Sequence, residues 1–241
     1  MDYQNRERIG ILAVNIGLAA NILLAVLKST VGIIGNSAAL LADGINSTVD
    51  VAYGIVINVF VRKANKPPDA EHPYGHHQIE SVAAVVVGAF VISTAVAILW
   101  DSVDSVYTLL TKNADKNQTL TITLWVALFT VILKIGLAIW TTRMGREIDN
   151  AAVMALASDH RNDIFSAIAA TLGIFFHQLG YYWVDPLAGA VVALVIFQTG
   201  LEILRDATDD LMDTMPGKVL SKKITRLVEK IHGVDQIQEI R

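Results

Sequence analysis

Asp159-His160-Arg161-Asn162-Asp163 interrupts a run of lipid-soluble sequence, with AAVMALAS (151–158) before it and IFSAIAATLGIFF (164–176) after it. On a membrane-insertion scale each Asp or Arg at a helix centre costs about 2.5–3.5 kcal/mol, so Asp159, Arg161 and Asp163 together cost about 8–10 kcal/mol. A helix carrying that load does not turn these residues to lipid. Residues four apart share one helix face, so Asp159 and Asp163 project together. Asn46 and Asp50 repeat the spacing in LLADGINSTVD (40–50), inside another apolar run. Two polar pairs at i, i+4 on two membrane helices point to a metal site.

Composition agrees with a membrane setting. The chain has 241 residues, of which 17% are charged, below the roughly 25% usual in soluble domains. Mean hydropathy is +0.48. Apolar residues gather in runs of about 20 or more, long enough to cross a hydrocarbon core about 30 Å thick. The expected fold class is therefore an all-α polytopic membrane protein. The net charge of −4 carries no nucleic-acid signal, and without cysteine there is neither a disulfide nor a thiolate ligand. The N-terminus, MDYQNRERIG, is too polar for a signal-peptide core, so the first apolar run is expected to remain as a helix.

Six spans are expected: about 9–34, 37–61, 78–109, 120–140, 151–176 and 185–204. Together they form a transmembrane domain over residues 1–208. Residues 209–241 differ in character. Pro216-Gly217 breaks the chain, Ile224, Leu227, Val228 and Ile231 mark an amphipathic helix, and VDQIQEIR alternates like a strand. A single strand has no ladder partner, so this segment is expected to be a linker and the start of an incomplete cytoplasmic domain.

Lys and Arg set the orientation. With six spans, Arg6, Arg8, Arg62, Lys63, Lys66, Arg143, Arg146, Arg205 and the C-terminal lysines fall on one side. Only Lys112 and Lys116 fall on the other. Both termini are thus expected in the cytoplasm of an integral, bacterial-type inner-membrane protein. At 1.5 Å per residue, the 46/50 and 159/163 pairs both lie within about 5–8 Å of the bilayer centre. They can share one site if the second and fifth helices pack together.

Three carboxylates and one amide offer only oxygen. That donor set suits Mn²⁺, Mg²⁺ or Fe²⁺ better than Zn²⁺, which favours imidazole or thiolate. Three bare carboxylates at low dielectric repel one another, so some hold protons when no metal is bound. A divalent cation needs deprotonated ligands and expels those protons. Such a site exchanges protons for metal. A cluster serving only to bond two helices is the competing reading, and the cost of three acids argues against it.

Other polar residues need partners. Asn15 and Asn21 in the first span are expected to form interhelical hydrogen bonds. Lys28 lies near enough to that span's end to snorkel. His160 and Arg161 point away from the 159/163 face and are expected to meet acids of neighbouring helices or water, with Arg161 as a structural counter-ion. Lys134, at mid-membrane, must find an acid that the sequence does not identify. Asp69, His72 and His76 form D-x-x-H-x-x-x-H in the loop before the third span. They either hold a second metal or serve as loop hydrogen-bonding residues and helix caps; both readings stand. Glu80 suits the start of the third helix.

SAALLADGINSTVD (37–50), HPYGHHQIE (72–80), SDHRND (158–163) and WVDPLAG (183–189) together resemble the signatures of the cation diffusion facilitator family, over essentially the whole chain. The resemblance implies six helices, a V-shaped homodimer and a cytoplasmic αββα, metallochaperone-like domain. It also implies proton-coupled export of a divalent metal from the cytosol by alternating access, with no prosthetic group and no enzymatic step. Matched motif by motif, the transport site falls on Asn46, Asp50, Asp159 and Asp163, and a cytoplasmic loop site on Asp69, His72 and His76. Zinc-type members generally place a His in the four-residue site. The Asn-Asp/Asp-Asp set is similar to the manganese-type branch. Gln238 stands where some zinc-type members have His. Asp43 lies off the Asn46–Asp50 face and is a supporting or gating candidate.

The leading expectation is a Mn²⁺/proton antiporter. A Zn²⁺, Fe²⁺, Co²⁺ or Cd²⁺ transporter of the same family is the near alternative, and a non-transporting membrane metal sensor the distant one. An intramembrane aspartyl protease needs one Asp from each of two helices in a Gly-x-Gly-Asp or Tyr-Asp setting, and neither sequence occurs here.

Overall fold

The computed structural model describes residues 3–64, 76, 78–111, 119–212 and 227–228. Among them the architecture is all-helical, with six long helices and no strand. These are α1 (Tyr3–Ile34), α2 (Ala38–Ala64), α3 (Gln78–Thr111), α4 (Thr121–Ile148), α5 (Ala151–Gln178) and α6 (Val184–Leu211). α1, α3, α4 and α6 are long and apolar enough to cross a membrane. α2 and α5 match them in length, at 27 and 28 residues, and carry the polar pairs. Residues 213–226 and 229–241 lie outside the described residues, and with them the strand, Gln238, the soluble domain and all of the expected amphipathic helix except Leu227 and Val228, which are helical.

α2 and α5 hold the bundle together. α2 packs against α1, α3, α5 and α6, while α5 packs against α1, α2, α4 and α6. The long α3–α6 seam closes one side, and the α4–α5 seam the other. The outward faces are apolar: Phe90, Trp100, Trp125, Ile132 and Phe165 are all exposed. The interior is built from small residues such as Ala39, Ala42, Ala95, Ala170 and Ala193, together with buried polar side chains. This distribution suits a lipid surround, where small residues let helices approach and polar groups bond across them.

The helix ends differ from the expected spans in one consistent way. α4 continues past Trp140 to Ile148, through the charged stretch Thr141–Asp149, and α6 continues past Leu204 to Leu211. Hydropathy marks where a helix leaves oil, but Arg, Glu and Met are good helix formers outside it. α4 stops where Asp149 adopts a left-handed conformation (φ 47°). Asn150 then caps α5, its side-chain oxygen accepting from the Val153 amide at 3.1 Å.

The α1–α2 turn is fixed from across the bundle. Asn36 takes φ 51°, and the Ser37 hydroxyl accepts from the Leu40 amide at 3.1 Å. That same hydroxyl donates to Asp185 Oδ1 at 2.7 Å, and the Ala38 amide donates to Asp185 Oδ2 at 2.7 Å. A carboxylate in the first turn of α6 thus satisfies the open N-terminus of α2. Lower on α2, Gly44 lets the backbones of α1 and α2 meet: a Cβ there would lie 2.6 Å from the Ser29 nitrogen. This close approach places Lys28 beside the α2 acids.

Candidate functional site

α2 and α5 pack together, and their polar faces meet. Asn46 is 5% exposed and its side-chain amide donates to Asp163 Oδ1 at 3.4 Å. Asp163 also receives Lys134 from α4, whose ammonium forms an ion pair with Oδ2. Lys134 is 0% exposed and donates to Asn21 Oδ1 on α1 at 2.8 Å. One carboxylate therefore collects donors from α2 and α4, and through Lys134 it is tied to α1.

Asp50 is half-buried one turn along α2. It lies within electrostatic reach of Asp163, Asp159, Lys134 and Lys28. Asp159 is exposed and within reach of Asp163 and Lys134. The structure thus bonds Asn46 to Asp163 directly and holds Asp50 and Asp159 nearby. Among the described residues, no three His, Asp or Glu side chains are drawn together tightly enough to hold a metal ion. Asp50, Asp159 and Asp163 therefore form no such group in this arrangement.

A second polar cluster sits about one turn nearer the α1–α2 turn. Lys28 donates to Asp43 Oδ2 at 2.8 Å and to the Ser47 hydroxyl at 2.7 Å. The Ser166 hydroxyl donates to Asp43 Oδ1 at 3.3 Å. Asp43 and Ser166 each lie three residues along their helix from Asn46 and Asp163, a rise of about 4.5 Å. Asp43 is therefore committed to structure beside the site. Lys28 corrects the snorkelling expectation: it is 1% exposed, because an acid stands directly across the helix interface.

Two further expectations need correction. Arg161 is exposed and forms no ion pair among the described residues, so the counter-ion of this site is Lys134. Its position two residues from both Asp159 and Asp163 turns it to the far side of α5. His160 is buried, with no hydrogen-bond partner for either ring nitrogen and no ion pair among the described residues, although Asp163 lies within electrostatic reach. It packs on α1, where a Cβ at Gly17 would lie 3.3 Å from Nε2. Asn21 makes its interhelical bond, whereas Asn15 is exposed.

In the loop motif, Asp69 and His72 lie outside the described residues. His76 is half-buried at the start of α3, its carbonyl accepting from the Ile79 amide at 3.0 Å. The roles of Ser47 and Ser166 were not anticipated. Ser47 shares a helix face with Asp43 and Ser166 with Asp163, and only the packing of α1, α2 and α5 reveals their partners.

Residues 14–212 match the model of the cation efflux transmembrane domain. Among similar proteins, the manganese efflux system protein MneP of Bacillus subtilis is 30% identical, covering 98% of this chain and 80% of its own length. Manganese efflux system protein MneS of the same organism is 27% identical, covering 94% and 76%. Magnetosome protein MamM of Magnetospirillum gryphiswaldense is 30% identical, covering 94% and 70%. With an all-helical architecture among the described residues, membrane-length apolar helices and a family match over most of its length, this chain belongs to the cation diffusion facilitator family and is a metal-efflux transporter rather than an enzyme.

Proposed function

We propose that the chain exports Mn²⁺ from the cytosol in exchange for protons, through a site formed by Asn46, Asp50, Asp159 and Asp163. The observation that carries this reading is the α2–α5 contact, in which the Asn46 amide reaches Asp163. It supports a pairing of α2 with α5 at these residues, whose side chains offer oxygen donors. Hard oxygen donors favour Mn²⁺ over Zn²⁺, and two similar proteins are named for manganese efflux. Metal binding expels protons from the carboxylates, which couples the two fluxes.

In this reading all six helices cross the membrane, both termini face the cytoplasm and the working unit is a homodimer. Asp69, His72 and His76 would form a cytoplasmic loop site that meets the metal first. Reconstituted protein in liposomes, loaded with a metal-sensitive dye and given an imposed pH gradient, tests this. Mn²⁺ flux with counter-flow of protons supports it. Flux of Zn²⁺ or Fe²⁺ without Mn²⁺ overturns the cargo assignment, and Mn²⁺ binding with no flux would make the protein a sensor.

A further inference from the structure

Lys134 is entirely buried and its side-chain nitrogen sits on one of the carboxylates assigned to the cargo. Both oxygens of Asp163 are engaged, Oδ1 by the Asn46 amide and Oδ2 by the Lys134 ammonium. Each oxygen keeps a second lone pair that can face a metal ion, so an ion that ligates Asp163 lands beside the Lys134 ammonium. Asn46 is itself an assigned ligand and stays. Lys134 has somewhere to go: its ammonium already holds the side-chain oxygen of Asn21 on α1 at 2.8 Å. A divalent ion beside an ammonium in a medium of low dielectric repels it strongly. A short shift from Asp163 toward Asn21 relieves that repulsion without exposing the charge to lipid.

We propose that Lys134 is a tethered competitor cation, seated on Asp163 until the metal displaces it toward Asn21. It rests on the transport-site reading above and adds a device to it. The ammonium weakens metal binding, which keeps the site from becoming a trap, and its return to Asp163 helps expel the ion. Because Lys134 belongs to α4 and Asn21 to α1, metal occupancy is transmitted to two helices that supply no ligand. Asn21 is the landing place, and its role differs in sign from that of Lys134.

The test is a Mn²⁺ binding isotherm on the full chain in lipid nanodiscs, paired with flux in liposomes. Lys134→Met removes the competitor, so Mn²⁺ should bind about tenfold more tightly, the scale of coupling between contacting charged groups. Maximal flux should fall as release slows. Asn21→Leu leaves the competitor but removes its alternative seat, so Mn²⁺ should bind several-fold more weakly. In the double variant the Asn21 effect should vanish. Lys134→Arg retains the charge and should stay near the parent affinity.

A purely structural role for Lys134 would weaken binding in both single variants, and that result overturns the proposal. So does unchanged affinity in Lys134→Met. Asp163→Asn separates the two layers. If it abolishes Mn²⁺ binding while Lys134→Met leaves affinity unaltered, the competitor idea fails and the site stands. If Asp163→Asn binds like the parent, both fail. Asn21→Leu keeps the test decisive should Lys134→Met not fold.

Discussion

Lys28 and Asp43 form an ion pair buried between α1 and α2, Nζ to Oδ2 2.8 Å, with both side chains 1% exposed. The Ser47 hydroxyl accepts from Lys28 and the Ser166 hydroxyl donates to Asp43. Breaking a buried pair by removing one partner is much worse than removing both, because the survivor is left charged and uncompensated. Lys28→Met is therefore expected to cost about 3–5 kcal/mol of stability. Lys28→Met combined with Asp43→Leu should recover most of that loss. Unfolding curves of the detergent-solubilised protein check it, and equal losses in the single and double variants would contradict it.

Asp185 ties the start of α6 to the start of α2 through Ser37 and the Ala38 amide. Asp185→Ala leaves both donors in a buried turn without their acceptor. The expected cost is about 1–3 kcal/mol, with faster hydrogen exchange at the Ala38 amide. Exchange unchanged at that amide would mean that α2 is capped by other means.

Asn46 faces Asp163 through an amide. Asn46→His replaces an oxygen donor with imidazole nitrogen, which Zn²⁺ favours. The expected outcome in liposomes is a gain of Zn²⁺ flux relative to Mn²⁺ of about tenfold, taking a change near 1.4 kcal/mol in relative affinity. An unaltered ratio would argue against Asn46 as a ligand.

Much of the fold was legible because oil is an unforgiving solvent. Long apolar runs had to be helices; of the two i, i+4 pairs, Asn46 and Asp163 meet between α2 and α5, while Asp50 is half-buried and Asp159 exposed. The same logic marked Lys134 as needing an acid, yet only the packing of α4 on α5 names Asp163 as that acid. Lys28 was misread because distance from a span end says nothing of what stands opposite; Asp43 holds it inside. Arg161, already placed off the 159/163 face, was expected to meet an acid of a neighbouring helix; it is exposed and forms no ion pair among the described residues. The ends of α4 and α6 escaped notice because hydropathy reports the edge of lipid and not the end of helical hydrogen bonding.

The most direct test of the central claim, that a hard divalent ion is held between α2 and α5, is an anomalous-scattering map from Mn²⁺-soaked crystals of the protein. The expected result is a peak bonded by the Asn46 side-chain oxygen and the carboxylates of Asp50, Asp159 and Asp163, with the Lys134 ammonium moved off Asp163 toward Asn21. A transport-competent protein whose bound Mn²⁺ lies elsewhere, with Asn46 and Asp163 still joined as they are here, would contradict it.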